Sequence, residues 1–144
     1  MANRDTIELL KECSSGIKAG VTNLNDLAVR AKSPALKKIL TQSITNHETL
    51  SCEAVKLLGS SAETAKEPSM MMKGMSWMKT EAKMAMDDSD STIAELVTDG
   101  CGMGIKSIKQ SLNDCAHASG EAKDIAQQVV NEEKALMEAV SRFL

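Results

Sequence analysis

Aromatic side chains are nearly missing from this chain, which has one Trp, one Phe and no Tyr in 144 residues. A surface that stacks on bases or sugar rings has almost no material here, and the core must be aliphatic and Met-rich. No cationic block occurs and the net charge is −3. Nucleic acid and anionic membrane are therefore not expected as partners, because both are held by clustered Lys and Arg. No apolar run approaches the roughly 18 residues of a membrane span. The N-terminal MANRDTIELLKE has no apolar stretch of the kind that a secretory signal carries. A cytoplasmic, bacterial setting is the expectation. The four Cys are then expected as thiols, and with no C-x-x-C a zinc site or redox dithiol is not indicated.

What the chain does have is an internal repeat. Residues 13–28 read CSSGIKAGVTNLNDLA and residues 101–116 read CGMGIKSIKQSLNDCA. Cys13, Gly16, Ile17, Lys18, Leu24, Asn25, Asp26 and Ala28 recur 88 positions later. Asn46, Glu48, Glu53, Ala54 and Val55 recur at an offset of 85, as Asn131, Glu133, Glu138, Ala139 and Val140. The change of offset fits a small length difference in the turn between two helices. The chain reads as one helical hairpin, duplicated. A single domain over 1–144 is expected, with repeat 1 at about 3–58, a connector with an extra helix at 59–90, and repeat 2 at about 91–144.

Hydrophobic spacing supports four long helices and no strand. In residues 3–31, Ile7, Leu10, Ser14, Ile17, Val21, Leu24 and Ala28 form a seam, with Asp5 and Glu8 at capping-box spacing. Ser33-Pro34 restarts the chain as N-cap and first helical residue. Helix 34–58 places Leu36, Leu40, Ser43, His47, Leu50, Ala54 and Leu57 on its seam, and Gly59 ends it. The segment GSSAETAKEP at 59–68 reads as a linker that crosses the length of the bundle. A Met-rich helix follows at 69–86, with Met71, Met75, Met78, Ala82 and Met86 on one face. The last two helices are expected at about 91–117 and 120–143. The final seam runs through Ala122, Ile125, Val129, Glu132, Leu136, Val140 and Phe143.

A duplicated, Glu-bearing hairpin resembles the ferritin-like four-helix-bundle superfamily over most of the chain. The segment IAELVTDGCGMGIKSI at 93–108 is similar to small ferritin-like bundle proteins of Gram-positive bacteria. The resemblance implies an all-α, up-and-down four-helix bundle with one extra Met-rich helix between its halves. It also implies a search for the di-iron ligands, a Glu from each of two helices and a Glu-x-x-His from each of the other two. That motif is not preserved. Glu48 is followed three residues on by Ser51, and Glu133 by Leu136. The other two helices turn Ser14, Ile17, Gly104 and Ile105 toward the core in place of Glu.

Two polar residues remain on the apolar seams at repeat-equivalent positions, His47 and Glu132. They suggest either a buried His–carboxylate hydrogen bond that fixes register, or a residual single-ion site with Glu48 and Glu133 as helpers. Met72, Met75 and Met78 have the M-x-x-M-x-x-M spacing that could offer thioethers to Cu(I). Met at that spacing also fills core gaps or forms an adhesive face for a partner helix. Gly16 and Gly104, inside helices, suggest close helix approach. Asn25-Asp26 and Asn113-Asp114 are expected to close hairpin ends. No Ser–His–Asp set can be placed, and DGCGMG lacks the Gly-Lys-Ser/Thr of a phosphate loop. The expected role is a non-enzymatic bundle for protein association, with itself as a homodimer or with another helical protein, and no cofactor. The alternative is a metal-binding protein, taking copper or another transition-metal ion through the Met segment or near His47 and Glu132.

Overall fold

The structure is a computed structural model that describes residues 3–59 and 83–144. Among these residues the chain is helical, without strands. Four long helices account for most of it. They are α1 (Arg4–Arg30), α2 (Pro34–Leu58), α3 (Asp90–Asp114) and α4 (Gly120–Val140), and a 3-10 turn at Ser141–Phe143 follows α4. Each begins at a side-chain cap. Asn3, Ser33, Ser89 and Ser119 accept from the backbone N–H three residues on, satisfying one of the orphan donors of each first turn. Asn3 takes the cap that the sequence assigned to Asp5, because Asp5 is engaged elsewhere. Gly59 ends α2 with φ of 56°, a left-handed conformation that glycine adopts without strain.

The turns show how the halves meet. Asp90, the first residue of α3, accepts from the backbone N–H groups of Lys32 and Ser33 in the α1–α2 turn, at 2.8 and 2.9 Å. Asp5, in the first turn of α1, accepts from the N–H of His117 in the α3–α4 turn at 2.9 Å. Positions 5 and 90, and 32 and 117, each stand 85 residues apart. The two ties are therefore reciprocal: an aspartate in the first turn of each half holds the turn of the other. Ser119 N–H adds a 2.8 Å bond to Thr6 Oγ1, and Asn3 Nδ2 donates to the His117 carbonyl at 2.8 Å. The pairs Gln42–Asn46 and Gln127–Asn131, also 85 apart, make the same side-chain bond within their helices, at 3.1 and 3.0 Å.

These ties fix direction. The start of α1 lies beside the end of α3, and the start of α3 lies beside the end of α1. With α2 and α4 running back from their turns, the helices run up, down, down, up. Strict up-and-down alternation, expected from the sequence, does not hold. The reason is the connector, which leaves α2 at one end and must deliver the chain to α3 at the other. Beyond Gly59, the linker expected at 59–68 lies outside the described residues. Helices pack most closely within each hairpin, while α2 with α4, α1 with α3 and α1 with α4 make the contacts between hairpins.

The apolar core falls into two clusters, each drawing on all four helices. One contains Leu9, Leu10, Ile17, Leu50, Ala54, Ile108, Ile125, Val129 and Val130. The other contains Leu24, Leu27, Leu36, Leu40, Ile93, Val97, Leu136 and Val140. Burying each of the larger side chains contributes about 1.5–3 kcal/mol. Neither hairpin encloses a core alone. Met84 is buried in the second cluster while Met86 is 89% exposed, so the Met face read from the sequence does not extend to Met86. Met72, Met75 and Met78 lie outside the described residues.

Candidate functional site: a buried polar layer

Between the two apolar clusters α2 contributes Ser43 and His47, α3 contributes Cys101 and Gly104, and α4 contributes Glu132 and Glu133. Helical spacing puts Ser43 and His47 one turn apart on the buried face of α2, and both are buried, His47 completely. His47 Nε2 lies 2.6 Å from Glu133 Oε1, and Nδ1 lies 2.7 Å from the Ser43 carbonyl oxygen. Both partners are acceptors. Only the protonated imidazolium donates from both nitrogens, so the geometry favours a charged His47. Burial opposes that charge, but the Glu133 carboxylate, the Ser43 carbonyl and nearby Glu132 outweigh it and raise the His47 pKa above its ordinary value.

Glu132 has a separate set of partners. Its Oε1 accepts from Ser43 Oγ at 2.9 Å, and both carboxylate oxygens accept from Asn46 Nδ2 at 3.2 Å. The Cys101 thiol is 2% exposed and lies near Glu133. Burial first, and then the nearby Glu133 carboxylate, push its pKa far above the ordinary thiol range. Cys13, buried beside Glu12 and Cys115, is pushed up to about 12. These are inert thiols, not nucleophiles. Cys52 is exposed.

The candidates from the sequence are thus partly brought together. His47 is at the centre, as expected. Its partner is Glu133, whose side chain is only 13% exposed, and not the repeat-equivalent Glu132. The α4 seam keeps its expected phase at Ala122, Ile125, Val129, Leu136 and Val140, all buried, and is wider than expected, taking in Ala126 and Val130 and leaving both glutamates half-buried. Glu48 is exposed and takes no place beside His47. Gly104 faces this layer: a Cβ there would stand 3.5 Å from the Glu133 carboxyl group, an ordinary contact. Gly16 has nothing within 4 Å of such a Cβ, so close helix approach does not explain it. Asp26 pairs with Arg30 of its own helix at 3.4 Å and does not close a hairpin end. Sequence reasoning missed Ser43 as a donor to Glu132, and it missed Cys101 altogether. Cys101 recurs from Cys13, and that repeat was the available signal.

Among the described residues no three His, Cys, Asp or Glu side chains are arranged to hold a metal ion. No described helix is long and apolar enough to cross a membrane. Beside the layer, Asn46, Thr49, Leu50, Glu53, Gln128, Asn131, Glu132 and Ala135 line an open groove of about 460 Å³ between α2 and α4. Comparison of the chain with protein-family models, with curated proteins and with solved structures finds no match.

Proposed function

We propose that this chain is a non-enzymatic, ferritin-like four-helix bundle built from two duplicated hairpins, acting through protein association as a homodimer. One observation carries the non-enzymatic part: the His47 imidazole is fully buried with both of its nitrogens engaged. Both His47 nitrogens and both Glu132 oxygens are engaged by the protein, and Glu133 is held by His47. A general base or nucleophile needs a reactive atom within reach of a substrate. Here the imidazole is sealed between two apolar clusters and the thiol is buried and protonated. The ferritin-like part is supported by the up, down, down, up order with one long crossover, and by the ties at 5/117 and 90/32.

Metal binding is the second reading, and its support at the polar layer is the His47–Glu133 pair, an imidazole and a carboxylate from two helices. A metal there would have to displace the 2.6 Å His47–Glu133 bond. The Cu(I) version rests on Met72, Met75 and Met78, outside the described residues. Anaerobic Cu(I) titration tests it, with Met72, Met75 and Met78 replaced together by Leu, which keeps volume and removes sulfur. The two readings separate in one preparation of untagged protein, by solution mass and metal content. Dimer without stoichiometric metal supports association, and a metal-loaded monomer supports the second reading.

A further inference from the structure

The groove between α2 and α4 opens beside the polar layer, where the two hairpins meet. Two pairs of its lining residues are repeat-equivalent, Asn46 with Asn131 and Leu50 with Ala135, each 85 positions apart. Its volume of about 460 Å³ is that of a small-molecule site. Glu53 and Glu132 are its charged lining residues, and no Lys or Arg lines it among the described residues. His47, behind the wall, is the cation of the polar layer, and its Nε2 is bound to Glu133. The groove therefore offers two carboxylates and holds no cation of its own.

The antiparallel run of α2 and α4 places these carboxylates along the groove. Glu132 stands at the level of Asn46, whose Nδ2 touches both of its oxygens. Glu53 follows Asn46 by seven residues on the same helix, two turns or about 10.5 Å along the axis. Between these levels lies Leu50, 7% exposed, and helical spacing puts Gln128 across from it on α4. Glu132 is also held in position. Its Oε1 accepts from Ser43 Oγ at 2.9 Å and from Asn46, while among the described residues Oε2 accepts from Asn46 alone. A carboxylate oxygen has room for two such bonds, so Oε2 keeps an acceptor site on a side chain that lines the groove.

We propose that this groove binds an extended alkyl diammonium ion, the chemistry of a polyamine. One ammonium group donates to Glu132 Oε2, the other pairs with Glu53, and the methylene chain between them lies over Leu50. The side-chain carbonyls of Asn46, Gln128 and Asn131 supply further acceptors for N–H groups that the two carboxylates leave over. An anionic ligand meets two like charges here, and a monoammonium ion leaves one carboxylate unpaired.

Titration of isotope-labelled, full-length protein with amines at constant ionic strength tests this, with backbone and side-chain amide shifts followed by NMR. Hexamethylenediamine and spermidine should bind saturably, with the largest shifts at the side-chain amides of Asn46, Gln128 and Asn131. Trimethylenediamine, too short to reach both levels, and hexylamine, with one charge, should bind roughly fivefold more weakly, the worth of one exposed ion pair. Glu53→Gln, a change at an exposed position, should bring hexamethylenediamine down to the affinity of hexylamine and leave hexylamine unchanged. Glu132→Gln, with its helicity checked by circular dichroism, should weaken every amine. Equal affinity for hexamethylenediamine and hexylamine overturns the proposal. So does a Glu53→Gln variant that binds the diamine as the parent does, or the absence of shifts at these amides up to about 10 mM ligand.

Discussion

Replacing His47 by Leu should destabilise the fold by about 2–4 kcal/mol. The magnitude follows from what the imidazole leaves behind. Glu133 loses a 2.6 Å charge-assisted bond, and the Ser43 carbonyl loses a 2.7 Å donor. Breaking a fully buried ion pair by removing one partner costs about 3–5 kcal/mol. The Glu133 side chain retains 13% exposure, so the expected value lies toward the lower end of that range. Glu133→Leu should cost a similar amount by stranding the imidazole. The double variant should lie within about 1 kcal/mol of the parent, since a buried pair replaced by apolar groups of similar size is often neutral. Urea unfolding followed by helicity gives the three values and closes the cycle. Additive losses, or single-variant losses below about 1 kcal/mol, would refute the idea that these two residues form one buried pair.

The same pair sets a pH dependence with a definite sign. The folded His47 pKa is raised above 6.5. Its contribution is therefore fully present below pH about 6.5 and is lost as pH rises through the folded value. The difference in urea midpoint between parent and His47→Leu should shrink from pH 6 toward pH 9, and a difference that grows instead would reverse the assignment. Ser14 is fully buried and its Oγ has no partner among the described residues, so Ser14→Ala should raise stability by about 1 kcal/mol or more. Gly16→Ala, with open space around the new methyl group, should gain up to about 1 kcal/mol, which thermal unfolding will show. Asp90→Ala removes the acceptor for two turn N–H groups and should cost about 1–2 kcal/mol, with Asp5→Ala costing less because it holds one. A thiol reagent should titrate Cys52 at once in the folded protein, and Cys13, Cys101 and Cys115 only on unfolding.

Much of the fold was legible because helix-forming signals are local. The cap at Ser33, the stop at Gly59 and the heptad-like seams locate the helices to within a few residues. The repeat then pairs the hairpins. Topology was less legible. Short turns dictate antiparallel neighbours inside a hairpin, but the direction of α3 relative to α1 depends on Asp5 meeting His117 and Asp90 meeting Lys32 and Ser33. Those meetings are long-range and leave no periodic trace. The site was legible only to one residue. His47 interrupts an apolar stripe and so announces itself. Glu132 and Glu133 are adjacent, and a rotation of roughly 100° about the helix axis decides which one faces inward. Both end half-buried on the flanks of a stripe whose Ala122, Ile125, Val129, Leu136 and Val140 are buried as expected, so the spacing of the stripe does not choose between them. Cys101 was overlooked because a buried thiol behaves as a small apolar residue until a carboxylate stands beside it.

The most direct measurement of the central claim is the solution mass of untagged, full-length protein, taken on the same sample as its metal content. A closed polar centre and an associating bundle predict twice the 15.4 kDa chain mass and metal well below one ion per chain. A chain that remains at 15.4 kDa at every concentration and carries one tightly held ion per chain, lost in His47→Leu or when Met72, Met75 and Met78 are replaced by Leu, would contradict it.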